Sequence, residues 1–155
     1  MQEIVGKLKK LNKTISTMES CTGGGVANAI TNIEGSSLVL KFSAVTYSNE
    51  FKIKMGVSSN IIDKYTVYSM ETAQEMSYNI SKFTNSNYGV GITGQINVTD
   101  PSNITNENDK IYISIYDKDN DKYYNKTIKA LNDSRENNKT NIINTIIEML
   151  KDILK

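Results

Sequence analysis

Residues 19–25 read Glu-Ser-Cys-Thr-Gly-Gly-Gly and set two nucleophiles side by side, Ser20 and Cys21, between a carboxylate and three glycines. The chain has no histidine, so no imidazole can take a proton from either. The remaining bases are a carboxylate, a tyrosinate or a lysine kept neutral by burial or by a neighbouring cation. Lysine suits a serine best. The segment Tyr47-Ser-Asn-Glu-Phe-Lys52 supplies a tyrosine and a lysine just past the end of a second strand that can lie beside the first. A lysine on a short helical turn is ordinarily a solvated charge, so spacing alone leaves both readings of Lys52 standing. The glycines also have two readings. Opening a helix, they expose backbone N–H groups at its positive end, suited to an anion or oxyanion. Alternatively they form a tight turn with Ser20 or Thr22 as N-cap.

These residues need a scaffold that delivers them to one place, and the hydrophobic pattern provides one. Ile4, Leu8 and Leu11 mark a first helix, and Thr14–Met18 is a short β-prone run ending at the nucleophiles. Val26–Ile33 reads as a helix broken by Gly35-Ser-Ser37. Leu38–Tyr47 is rich in β-branched and aromatic residues and forms the second strand. Helical turns follow at Asn49–Met55 and Ser58–Lys64. A longer helix starts at Ser69, its N-cap, with Ala73, Met76 and Ile80 on one face. Tyr88–Ile92 is a third strand ending at Thr93-Gly94. Gln95–Asp109, with the only proline, Pro101, reads as a mobile loop. Lys110–Tyr116 and Lys122–Ile128 alternate apolar with polar and make a hairpin. A last helix runs from about Ser134 to Leu154, with Ile142, Ile143, Ile146, Ile147, Met149 and Leu150 facing a core. The expected fold is α/β: a single-domain layered α/β/α sandwich over residues 1–155, with a mixed, mostly parallel sheet. In such sheets sites gather at the carboxyl ends of strands, where both Ser20 and Thr93-Gly94 fall.

Composition excludes several alternatives. A formal charge of +1 gives no field drawing the molecule to nucleic acid or an anionic membrane. The amino terminus is neither a signal sequence nor a membrane span, and a cytoplasmic protein is expected. One cysteine and no histidine leave no disulfide and no ordinary zinc site; no metal and no cofactor are expected. Asn-x-Ser/Thr sequons, among them those at Asn12, Asn79, Asn97, Asn103, Asn125 and Asn138, follow from an asparagine-rich composition. Gly89-Val-Gly91-Ile-Thr-Gly94 spells Gly-x-Gly-x-x-Gly, but its glycines lie inside a strand and Gln95-Ile-Asn-Val is a poor helix start. The dinucleotide reading is therefore set aside for a strand packed closely against another backbone.

Taken together, Glu19-Ser-Cys-Thr-Gly-Gly24, Gly35-Ser-Ser37, Val45-Thr-Tyr-Ser-Asn-Glu50 with Lys52, Gly56-Val57, Val67 with Ser69, Ile92-Thr-Gly94 and Asp133-Ser-Arg135 resemble the CinA C-terminal domain family, known as nicotinamide mononucleotide deamidases, over nearly the whole chain. The resemblance implies a Ser/Lys amidohydrolase that converts the nucleotide to nicotinic acid mononucleotide and ammonia. Ser20 is then the nucleophile, Lys52 the base and Tyr47 an aid to proton transfer. Substrate would be held by Thr22, Gly23, Gly24, Thr93, Gly94 and Arg135. Cys21 becomes a buried neighbour of the nucleophile. The expected partners are a small pyridine nucleotide and further copies of the chain in a homo-oligomer, with no nucleic acid and no membrane. The chain departs from the family after Thr93-Gly94, where a Gly-rich Ile-Ala-Gly-Pro-x-Gly-Gly is replaced by Gln95-Ile-Asn-Val-Thr-Asp-Pro. β-branched Ile96, Val98 and Thr99 stand where open backbone would wrap a nucleotide. The alternative is thus a module that keeps the fold and binds without turnover, or with altered specificity.

Overall fold

Short β-prone runs alternating with amphipathic stretches give, in a computed structural model that describes residues 1–97, 101–103 and 108–155, the order Gln2–Lys10 (α1), Ile15–Glu19 (β1), Gly25–Thr31 (α2), Leu40–Val45 (β2), Asn49–Lys54 (α3), Ser59–Tyr65 (α4), Met70–Thr84 (α5), Tyr88–Gly94 (β3), Lys110–Asp117 (β4), Lys122–Lys129 (β5) and Arg135–Ile153 (α6). The strands form one sheet in the order β2-β1-β3-β4-β5. β1 is parallel to both β2 and β3, whereas β4 is antiparallel to β3 and to β5. β4 alone therefore runs against the rest, and the sheet is mixed but mostly of one direction. Helices cover both faces, giving the expected α/β/α layers. Among the described residues no helix is long and apolar enough to cross a membrane.

The two faces are packed differently. On one, Ile15, Val90, Ile92, Ile111, Ile113 and Ile115 meet Ile4 and Leu8 of α1, Val26 and Ile30 of α2, and Ile142, Ile146 and Leu150 of α6 in one apolar cluster. On the other, α5 lies directly on the backbone of β3. A Cβ at Gly89 would sit 1.9 Å from the Ser77 carbonyl oxygen, and one at Gly91 would sit 2.3 Å from that of Ala73. The Gly-x-Gly run is thus a seat for a helix, as the strand reading anticipated. Ser77 and Ser114 share a buried hydroxyl hydrogen bond of 3.0 Å across this seam.

Caps set the helix ends. The Ser69 hydroxyl accepts from Thr72 N–H at 3.1 Å to start α5, and the Ser134 hydroxyl accepts from Asn137 N–H at 3.1 Å to start α6. Some boundaries shift from the sequence reading. A 3-10 turn at Ser36–Leu38 shortens the second strand, and pairing with β4 carries the third two residues further, to Gly94. Leu11 is C-cap to α1 and exposed instead of facing the core. Of the α6 set, Ile142, Ile146 and Leu150 are buried, and Ile143, Ile147 and Met149 pack beside them partly covered. The hairpin departs furthest from half-burial. β4 lies between two strands and beneath helices, so nearly all of it is buried, whereas β5 is an edge and mostly exposed. Val98 and Thr99 of the substituted segment lie outside the described residues.

Candidate active site

Ser20 follows the last residue of β1, and its N–H donates to the Ile92 carbonyl at 3.1 Å, so the hydroxyl stands at the carboxyl end of the β1–β3 pair. The neighbouring strand delivers the second group. Thr46 N–H donates to the Glu19 carbonyl at 2.8 Å, extending the β1–β2 register past β2. The Ser48 hydroxyl then accepts from Phe51 N–H and starts α3. One turn into α3, Lys52 points inward and is only 2% exposed. Its Nζ donates to Ser20 Oγ at 3.1 Å and to the Thr46 carbonyl at 2.8 Å. Of the two readings left by spacing, the solvated one is excluded.

Glu19, to which sequence reasoning assigned no role, organises the turn. Its carboxylate is fully buried. It accepts from the hydroxyls of Thr17 at 3.1 Å and Thr22 at 2.7 Å, and from the backbone N–H of Val26 at 3.0 Å and Ala27 at 2.9 Å. Neither Ser20 nor Thr22 caps α2. The N-cap residue is Gly24, which makes no side-chain cap, and a carboxylate from the preceding strand takes the free N–H groups instead. Gly23 and Gly24 hold φ of +62° and +91°, where a side chain would be strained. The signal that could have found this role is an acidic residue closing an otherwise uncharged strand just before a glycine turn.

The turn also uses much of its own donor capacity. Gly23 N–H goes to the Ser20 carbonyl and Gly25 N–H to that of Thr22. Among the described residues no backbone carbonyl accepts from the N–H of Cys21 or Thr22. An oxyanion cradle built on the turn thus comes down to the N–H groups directly after Ser20. Cys21 itself is 4% exposed, and burial pushes its thiol up to about 12, against a weaker opposing pull from Lys52 and Arg135.

A cavity of about 800 Å³ opens beside Ser20 and Cys21. Tyr47, Ser48, Asn49 and Glu50 form one wall, Gly94, Gln95 and Ile96 another, and Tyr68, Arg135 and residues 101–103 complete it. Arg135 donates from Nη1 to the Ile96 carbonyl at 2.6 Å and from Nη2 to the Tyr47 hydroxyl at 3.5 Å. Asn49 Nδ2 donates to Asn103 Oδ1 at 2.7 Å, joining the start of α3 to the substituted segment. The candidate residues therefore divide. Ser20, Lys52, Tyr47, Gly94 and Arg135 converge on this end of the sheet, Lys52 from behind Ser20. The Tyr47 hydroxyl meets Arg135 and not Ser20, and the residue is 66% exposed. Thr22, Gly23 and Gly24 shape the turn without lining the cavity. Thr93 is buried, its hydroxyl donating to the Val67 carbonyl at 2.7 Å. Among the described residues no cluster of acidic, Cys or His side chains is placed to hold a metal ion.

A family model described as the CinA C-terminal domain matches residues 1–154. The chain is 45% identical over 96 residues to a CinA-like protein of Endomicrobium trichonymphae, a match covering 61% of this chain and 22% of that protein. It thus spans about a fifth of the length of that curated relative. The crystal structure of the competence/damage inducible protein CihA from Agrobacterium tumefaciens superposes with a TM-score of 0.89 at 27% identity, covering 99% of this chain and 92% of the other. A CinA superfamily protein from Klebsiella pneumoniae shares the fold at a TM-score of 0.89 and 17% identity, over 99% of this chain and 94% of the other.

Proposed function

This chain belongs to the CinA C-terminal domain family, and from that premise we propose that it is a Ser/Lys amidohydrolase acting on the carboxamide of nicotinamide mononucleotide. The observation that carries the proposal is the 3.1 Å contact between Lys52 Nζ and Ser20 Oγ with Lys52 withdrawn from water. Burial disfavours an ammonium, and a neutral amine at that distance can take the serine proton. The Ser20 oxygen then bonds to the carboxamide carbon, and the developing oxyanion is held by the N–H groups of Cys21 and Thr22. Lys52 returns the proton to the leaving nitrogen, the C–N bond breaks and ammonia departs. Water adds to the ester carbon, giving a proton to Lys52; the C–O bond to Ser20 then breaks, Lys52 passes that proton to Ser20 Oγ, and nicotinic acid mononucleotide is released. Cys21 stays a thiol throughout.

Ammonia release from nicotinamide mononucleotide by the purified chain tests this, with Ser20→Ala as control. Release no greater than the control's rejects it. A second reading, a module that binds the nucleotide without turning it over, draws on the segment after Gly94 that replaces the family's glycines. Calorimetric binding with no ammonia would select it. The homo-oligomer expectation stays part of the proposal, supported by exposed Phe42, Val45 and Phe51 beside the sheet's β2 edge. Light scattering of the purified chain checks it.

A further inference from the structure

Gln95 is the first residue after β3, 4% exposed, in the wall of the cavity. Its backbone N–H donates to the Lys110 carbonyl at 3.1 Å, which fixes the residue in line with the sheet. Its side-chain Nε2 is buried and has no hydrogen-bond partner among the described residues. A donor left so costs the folded protein free energy, and the residue that carries it lines a cavity sized for a small molecule. Register says which part of a ligand it would meet. Glu19 pairs with Ile92, so Ser20 stands one residue past that pair and Gln95 three. Gln95 therefore lies roughly 6–7 Å further along the strand direction than Ser20, at the usual rise per residue. A group bound there is not the bond that Ser20 attacks. Next to it, the Arg135 guanidinium holds the Ile96 carbonyl, so the nearby wall is rich in donors.

We propose that Gln95 is a substrate-binding residue whose carboxamide donates to an acceptor oxygen on the ribosyl phosphate part of the nucleotide, remote from the carboxamide that is cleaved. The inference rests on the proposed amidohydrolase reading for the identity of the nucleotide, while the orphaned donor stands independently of turnover. It makes Gln95 a residue that lowers the stability of the empty protein and regains that loss on binding.

Two measurements on Gln95→Met test it. In thermal melts without ligand, the variant melts at the wild-type temperature or above, because the orphaned donor is gone. A drop of about 4 °C or more would mean that Gln95 is satisfied within the protein, and would overturn the proposal. Calorimetry then compares Ser20→Ala with the double variant Ser20→Ala, Gln95→Met for binding of nicotinamide mononucleotide, nicotinamide riboside and nicotinamide. Binding of the mononucleotide weakens about tenfold, the scale of one hydrogen bond to a ligand, and binding of nicotinamide is unchanged. If the riboside keeps the penalty, the acceptor is a ribose oxygen; if it loses it, the acceptor is the phosphate. Either supports the proposal. Equal affinity of the two variants for the mononucleotide overturns it, as does a penalty that persists with nicotinamide. Ammonia release by wild type separates the two claims: ammonia with no Gln95 effect removes only this inference. A Gln95 effect on binding without ammonia removes only the amidase. No binding of the mononucleotide to Ser20→Ala overturns this inference, and ammonia release then decides the amidase separately.

Discussion

The two sides of the cavity differ in whether a residue that lines it carries an unmade hydrogen bond. On the β1–α3 side, Glu19 accepts four hydrogen bonds and Lys52 reaches both Ser20 and the Thr46 carbonyl, and the two buried hydroxyls there that have no partner among the described residues, those of Ser16 and Thr46, belong to residues that do not line the cavity. On the β3 side, Gln95, which lines the cavity, holds a donor with no partner among the described residues. The reacting pair and the carboxylate behind its turn are in place before any substrate arrives; the Gln95 donor is completed by one. Chemistry and selection are thereby placed on different elements, which is how a fixed reacting pair can be combined with a replaceable wall.

The sharpest way to break that division is at Lys52. Lys52→Arg replaces the amine by a side chain of similar reach whose fixed charge removes the capacity to act as base, so kcat falls by about 10³-fold or more, close to the loss in Ser20→Ala, with the circular dichroism spectrum retained. Activity within about tenfold of wild type would remove Lys52 from the base role. Next in size is Glu19→Gln, which puts an NH2 group against donors that need acceptors. Unfolding in urea should show a loss of about 2–3 kcal/mol, while Gln95→Met costs nothing; equal costs would erase the contrast between the two sides. Replacing the rest of the 95–109 segment by Gly-rich residues of the family type, with Gln95 and the buried Ile96 kept, sharpens it from the other direction. Michaelis constant and turnover for the nucleotide should move while urea stability stays within about 1 kcal/mol.

Smaller effects follow from Cys21 and Tyr47. With its folded pKa raised to about 12 from an ordinary 9.0 by burial, the Cys21 thiol keeps its proton where the unfolded chain loses it. Its contribution to stability is whole below about pH 9 and is lost as pH climbs towards 12. Cys21→Ala should therefore flatten the alkaline fall in stability across that window, and native protein at about pH 8 should resist iodoacetamide until denaturant is added. Rapid alkylation of the folded chain would place Cys21 among the reactive groups. Smallest is Tyr47→Phe, which removes one long hydrogen bond from an exposed side chain and should change kcat/KM only several-fold. A loss as large as that of Lys52→Arg would restore Tyr47 to the proton path.

Much of this arrangement is legible in the sequence because it depends on local pattern. The Ser69 and Ser134 caps, the break at residues 35–37 and the β-branched strands fix the elements, and placing strand ends together brings Ser20 and Lys52 to one end of the sheet. What sequence left open depends on long-range burial. Glu19 reads as one more charge until the fold withdraws it from water and turns its oxygens on α2. Lys52 reads as solvated until α3 tucks beneath β2's end. The hairpin's even alternation hides that β4 is covered on both faces while β5 is an edge, since period-2 pattern reports pleat and not neighbours.

The seating of α5 on the bare backbone of β3 bears on how relatives of this chain can diverge. At Gly89 and Gly91 an added carbon meets main-chain atoms of a 15-residue helix, so selection can accept a larger residue there only together with a shift of the whole helix. Neither glycine lines the cavity. A ranking of positions by resistance to change would therefore place near its top a pair that resembles a nucleotide fingerprint and never meets a ligand, while Gln95, free to vary with each new substrate, would rank low.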